Sequence, residues 1–109
     1  MPSFRAGVAI VESRAGVSPA AVLDAARAGI SSGWHVEDSF VDATAMLRSG
    51  LPRITIRFVV ASSNDRTEDD EAWQAAKAMA TAVGQVAAWK DLRVYRRVKG
   101  RWVVLEAHE

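Results

Sequence analysis

The fold is decided by residues 53–60, which read RITIRFVV. The even-numbered positions of this stretch carry Ile, Ile, Phe and Val, whereas the odd-numbered positions begin with Arg, Thr and Arg. Successive side chains of a strand point to opposite faces of its sheet, so this alternation predicts a strand with one face in a core. The other face, which carries arginines, is predicted to lie away from that core.

The residues before this strand predict a strand, a helix and an edge strand. Phe4–Val11 is predicted as a central strand because both of its faces are fairly apolar. Ser18 followed by Pro19 predicts a helix start, with a hydroxyl N-cap and a proline at the first helical position, and the helix is expected to reach about Gly29. Trp34–Ala45 is predicted as an edge strand with a bulge or register change near Ser39.

The residues after it predict a second helix and a terminal hairpin. Thr67 and Asp70 are interpreted as a capping box, and the helix is expected to continue to about Ala88. Two strands follow over residues 92–98 and 101–106, joined by a turn at residues 99–100, and a loop is expected over residues 46–52. The acidic residues 68–71 are interpreted chiefly as complementing the helix dipole, with a metal or acid–base site as the alternative.

The predicted element order is β-α-β-β-α-β-β over one domain, residues 1–109. Two helices packed on one face of a mostly antiparallel sheet would give an α+β fold of the ferredoxin-like kind, with the first and third strands central and the hairpin extending one edge. The face of the sheet without helices, called here the open face, then becomes the candidate functional surface.

Composition narrows the function classes. The chain has 109 residues, half of them apolar, a formal charge of +1, no Cys and two His. These values exclude a disulfide scaffold, thiolate chemistry and Cys-ligated metals, and they give no electrostatic support for a membrane surface or nucleic acid. No cofactor and no metal site are expected, and the absence of a targeting segment favours the cytoplasm or a virion component. A bacterial or phage complex is the expected setting.

The open face is predicted to collect arginines and aromatic side chains. Arginine and aromatic residues are enriched at protein interfaces, so the first hypothesis is a non-catalytic assembly or adaptor domain that forms a homo-oligomer or binds a protein partner through this face or the edge strands. The candidate partner-binding residues are Arg5, Arg53, Arg57, Arg93, Tyr95, Arg97 and Trp102.

Nucleic-acid binding is the alternative for the same face, because guanidinium groups bind phosphates and aromatic rings stack on bases. The layout also resembles the RNA-recognition module, which implies binding by the sheet face. Here the outward positions of the first strand are Arg5, Gly7 and Ala9, where that module carries stacking aromatics.

A small oligomeric enzyme is the remaining alternative. The tandem β-α-β halves, the opening Met1-Pro2 and Arg14 after the first strand resemble the tautomerase superfamily. That resemblance implies Pro2 as a general base once Met1 is removed, and Arg14 as a carboxylate binder. For a monooxygenase-like or isomerase-like site between sheet and helices, Arg96 is the residue of interest, since it is polar on the core-facing side of its strand. Because it lies near the end of that strand, the favoured expectation is that its side chain simply reaches solvent. His35 with the neighbouring acidic residues is the other candidate for metal or acid–base chemistry.

Overall fold

A computed structural model describes residues 1–42 and 47–106 and shows an α+β fold. Five strands form one sheet: β1 (Ser3–Ser13), β2 (His35–Asp42), β3 (Arg53–Val59), β4 (Ala87–Val98) and β5 (Arg101–Leu105). The two long helices are α1 (Pro19–Ser31) and α2 (Asp65–Gly84). Residues 47–49 form a short helical segment between β2 and β3, where the sequence predicted only a loop. The α+β class is therefore confirmed, with this helical segment as a departure from the predicted element order.

The strand order in the sheet is β2-β3-β1-β4-β5, and every pairing is antiparallel. β1 lies at the centre with β3 beside it, as predicted, and the hairpin strand β5 extends the β4 edge. Lys99 and Gly100 both have positive φ angles, 48° and 79°. Two consecutive residues of this kind match the twist of a tight hairpin, so the predicted turn is confirmed.

A single hydrophobic core lies between one face of the sheet and both helices. Its largest fully buried side chains include Phe4 from β1, Phe58 from β3, Ile30 from α1 and Met79 from α2. The core-facing positions of β1 and β3 are the even-numbered ones, as the alternation predicts. The odd-numbered positions therefore form the open face.

The helix boundaries differ in part from those predicted. Ser18 caps α1 as expected, since its hydroxyl accepts a hydrogen bond from the Ala21 N–H at 3.1 Å. The predicted capping box at Thr67 is wrong, because the side chain of Asn64 caps α2 by accepting from the Thr67 N–H at 2.9 Å. The predicted end near Ala88 is also wrong: α2 ends at Gly84, and the residues from 87 onward pair with β1 as the beginning of β4.

The edge strand β2 contains the predicted β-bulge, at a slightly different position. Its register against β3 shifts between Val36 and Asp38, so the bulge lies about two residues before the expected position at Ser39. Because of this shift, Val36 packs against the core whereas Phe40 lies on the open face opposite Thr55. The part of the prediction that covers residues 43–45 lies outside the described residues.

Gly29 allows α1 and α2 to pack closely. A Cβ atom at Gly29 would lie 2.9 Å from the backbone oxygen of Ala78 and 3.0 Å from the Cβ atom of Ala82. We expect Gly29→Ala to lower the free energy of unfolding by about 1 kcal/mol, because the overpacking cost of roughly 1–3 kcal/mol exceeds the gain in helix propensity. Urea denaturation measures this. Gly33→Ala is the control, since no atom lies within 4 Å of the added Cβ; a Gly29→Ala variant more stable than the wild type would contradict the prediction.

Candidate functional site

The structure places all seven candidate partner-binding residues on the open face. Cross-strand register sets Arg57, Arg5 and Tyr95 side by side on β3, β1 and β4. Arg97 and Trp102 face each other across the β4–β5 hairpin. The remaining two, Arg53 and Arg93, occupy neighbouring rows of the same face. Their role in binding a partner stays a prediction.

Three of the arginines surround one tryptophan. The guanidinium carbon of Arg5 lies 4.2 Å from the centre of the Trp102 ring, and those of Arg97 and Arg57 lie 5.0 and 5.3 Å from it. Arg5 also contacts the ring of Phe40 at 5.2 Å. These distances are those of cation–π contacts, and we call these five residues the arginine–tryptophan cluster.

Phe40 is a member of this cluster that sequence reasoning missed. Period-two alternation groups it with Trp34 and Val36 on one face, and the irregularity was predicted near Ser39. The bulge before Asp38 reverses the facing of the residues that follow it, which turns Phe40 to the open face. The two aspartates in the segment gave a signal for an irregularity but not its exact position.

Positive charge is concentrated at the centre of the open face. Burial, followed by repulsion from Arg57 and Arg97, lowers the pKa of Arg5 below its usual value. The Nε atom of Arg5 is buried without a hydrogen-bond partner among the described residues. Arg57 is compensated by Glu37, whose carboxylate accepts from its Nε at 3.2 Å. The cluster thus retains cationic groups that a further partner of opposite charge would stabilise.

The other end of the open face carries a charged cavity of about 330 Å³. Arg53 supports one wall: its guanidinium donates to the backbone oxygen of Gly7 at 3.0 Å and to that of Asp91 at 2.6 Å. Burial lowers the pKa of Arg53, and neighbouring Arg93 adds to this effect. The cavity is lined by Ala9, Asp42, Arg48, Ser49, Leu51, Arg53, Lys90, Asp91, Arg93 and Tyr95.

Arg96 lies on the opposite, core-facing side and joins β4 to the start of α2. Its guanidinium contacts the carboxylates of Glu68 at 2.6 Å, Asp69 at 2.8 Å and Asp65 at 3.3 Å. The side chain is 17 % exposed, and its guanidinium carbon lies 5.3 Å from the ring centre of Phe4. Two expectations are corrected here: Arg96 does not simply reach solvent, and the acidic residues of α2 bind a cation as well as complementing the dipole.

The fold does not assemble the candidate catalytic residues into a site. Pro2 precedes β1 and Arg14 follows it, so the length of an eleven-residue strand, roughly 35 Å, separates them within one chain. Arg14 instead donates to the backbone oxygen of Gly84 at 3.5 Å. The carboxylate of Glu37, the candidate partner of His35, accepts from Ser3 and Arg57. No group of three or more potential metal ligands occurs within residues 1–42 and 47–106.

No protein-family profile, curated protein or solved structure matches the chain. Within the described ranges, no helix has both the length and the apolar character needed to cross a membrane.

Proposed function

We propose that this chain is a non-catalytic assembly domain of ferredoxin-like architecture that pairs with a second copy of itself through the open face. The order β2-β3-β1-β4, with the helices on one side, supports the architecture, and β5 extends it by one strand. The observation that carries the function is the arginine–tryptophan cluster on a sheet face that neither α1 nor α2 covers.

The chemistry of the cluster is that of an interface centre. Tryptophan, tyrosine and arginine supply most of the binding free energy at protein interfaces, where they form a central patch surrounded by less critical contacts. Trp102 and Tyr95 are half-buried on the open face, whereas Val11 and Val104 at its margins are 50 % and 54 % exposed. A partner that covered this face would bury those valines and remove water from the cation–π contacts, which strengthens them.

The distribution of charge favours a second copy as this partner. β2, at one edge of the open face, carries Glu37, Asp38 and Asp42, whereas β4, toward the other edge, carries Arg93 and Arg97. A two-fold axis parallel to the strands would place β2 of each copy over β4 and β5 of the other. In that arrangement the acidic edge of each copy lies opposite the basic edge of the other. The same favourable contact therefore occurs twice in the dimer, as in a self-complementary interface.

The face is also large enough. With strands about 4.8 Å apart and between 5 and 12 residues long, the five strands present roughly 700 Å² of projected area. Side-chain relief adds to this projected area. The total approaches the roughly 800 Å² per partner that a stable interface of standard size buries.

The first test replaces the centre of the interface. We expect the wild-type chain to have twice the mass of one chain by light scattering after size exclusion. Trp102→Ala should weaken the association about thirtyfold, as loss of a central tryptophan does. Val103→Ala is the matched control, because Val103 lies next to Trp102 on β5 but points to the other side of the sheet. A wild-type monomer at every concentration would overturn the proposal.

The second test reverses charges. Asp38→Arg or Arg97→Asp alone should weaken the dimer, because each places like charges across the interface, and the double variant should recover most of the association. If the losses of dimer affinity from the two single substitutions simply added in the double variant, the proposed arrangement would be contradicted. Binding of a single-stranded oligonucleotide by a monomeric chain, with affinity falling steeply as salt rises, would instead assign the open face to nucleic acid.

A further inference from the structure

We propose that the charged cavity binds a small organic anion that carries a phosphate or carboxylate group. The proposal concerns a different region of the open face from the arginine–tryptophan cluster. Asp42 and Arg93 of the lining also belong to the surface that the proposed dimer covers, so in that assembly the anion would lie at the dimer interface; the binding itself rests only on the residues that line the cavity.

Cationic side chains from three segments converge on this cavity. Arg48 comes from the short helical segment, Arg53 from β3, and Lys90 and Arg93 from β4. Two carboxylates, those of Asp42 and Asp91, share the lining, so it has an excess of positive charge. Arg53 is held by backbone oxygens, whereas Arg48, Lys90 and Arg93 form no ion pair with any residue that the structure describes. These three side chains are therefore available to an anionic ligand.

A β-bulge in β4 creates this convergence. Gly7 pairs with Arg93 and Ala9 pairs with Lys90, so the single β1 residue between them faces two residues of β4. In a regular strand, residues three apart point to opposite faces, but the extra residue turns both Lys90 and Arg93 to the open face. The bulge thus adds a second cation to the same wall of the cavity.

The backbone at the bulge is held in an uncommon conformation. Asp91 has a φ angle of 56°, in the left-handed region that residues other than glycine rarely adopt. Its backbone oxygen accepts the 2.6 Å hydrogen bond from Arg53, which fixes the conformation. Backbone strain of this kind is found at binding sites, where the surrounding contacts maintain it.

The size and the lining define the class of ligand. A volume of about 330 Å³ lies at the lower end of the range for small-molecule sites. Tyr95 and Leu51 offer an aromatic and an aliphatic surface beside the cations. The planar guanidinium of Arg93 can bind two oxygens of one phosphate or carboxylate, and Lys90 adds a point charge. The site therefore fits one ring or a short chain that carries such a group.

Titration with two probes tests the proposal. Phenyl phosphate and benzene-1,2-dicarboxylate are each added to the ¹⁵N-labelled full chain at low salt, with uncharged benzyl alcohol as the reference probe. We expect at least one anion to shift the amide signals of Asp91, Arg93 and Tyr95 with a dissociation constant of about 1 mM or tighter. Arg93→Gln and Lys90→Gln should each weaken this binding about fivefold or more. Arg101→Gln, on β5 outside the cavity, should change it less than twofold.

The outcomes distinguish a phosphate from a carboxylate ligand, and they test anion binding separately from self-association. A preference for one probe identifies phosphate or carboxylate as the recognised group. The proposal is overturned if neither anion shifts these signals at about 10 mM, or if Arg101→Gln weakens binding as much as Arg93→Gln. Light scattering on the same samples reports assembly separately, so a failure of either proposal leaves the other measurable.

Discussion

Replacing Arg96 with methionine is expected to lower the melting temperature by about 10 °C or more. Methionine keeps most of the aliphatic volume but removes the guanidinium that contacts Glu68, Asp69 and Asp65. The carboxylate of Glu68 is almost fully buried, and removal of its cation leaves that charge without an ionic partner. Differential scanning calorimetry at neutral pH measures the change.

Two further variants separate the ionic effect from lost packing. Arg101→Met alters an exposed arginine on β5 and is expected to change the melting temperature much less. Adding Glu68→Gln to Arg96→Met should recover part of the loss, because the buried charge is then removed. A melting temperature of Arg96→Met equal to that of Arg101→Met would show that the ionic contacts contribute nothing to stability.

The sequence indicated only one side of these ionic contacts. Arg96 stood out because it interrupts the apolar alternation on the core-facing side of β4. Its partners did not, because the predicted capping box placed the helix start at Thr67. The observed start, capped by Asn64, places Asp65, Glu68 and Asp69 on one side of the first helical turns. Because the N-cap lies three residues earlier than predicted, the sequence did not show which acidic side chains face the sheet.

The open face was easier to predict because period-two alternation decides it. In β3 the arginines alternate with buried side chains, and in β4 Arg93 and Arg97 lie on the side opposite the buried Val94, so knowing which face is buried places Arg57 and Arg97. Assigning β1 and β3 to the centre followed from their apolar character. What alternation could not give was the location of bulges, which depends on pairing with a distant strand.

Two bulges account for what the sequence did not predict about the site. The bulge in β2 moves Phe40 to the open face and completes the arginine–tryptophan cluster. The bulge at Asp91 in β4 turns Lys90 and Arg93 to the same side and opens the charged cavity. Aspartate tolerates the left-handed conformation better than most residues, but one aspartate among the seven of the sequence is a weak signal by itself.

Acid is expected to destabilise the wild-type chain through Glu68. The Ser63 N–H donates to this carboxylate at 2.7 Å, and Arg96 donates to its other oxygen. These hydrogen bonds, that from Ser63 foremost, lower the pKa of Glu68 below its ordinary value of 4.5 and outweigh the opposing effect of burial. Because the pKa is lower in the folded than in the unfolded chain, the stabilisation is fully present above pH 4.5 and is lost as pH falls through the folded value. Urea unfolding between neutral pH and about pH 3 measures this loss.

Glu68→Gln identifies the group responsible. Glutamine keeps an oxygen that can accept from Ser63, but it has no charge to titrate and binds Arg96 less strongly. The variant should be less stable than the wild type at neutral pH, and the difference should shrink as acid protonates Glu68 in the wild type. Glu106→Gln is the matched control, because Glu106 is exposed and its removal should leave the pH dependence unchanged. A constant difference between Glu68→Gln and wild type across this range would assign the acid sensitivity to other carboxylates, since only a group whose pKa differs between the folded and unfolded chain gives stability that varies with pH.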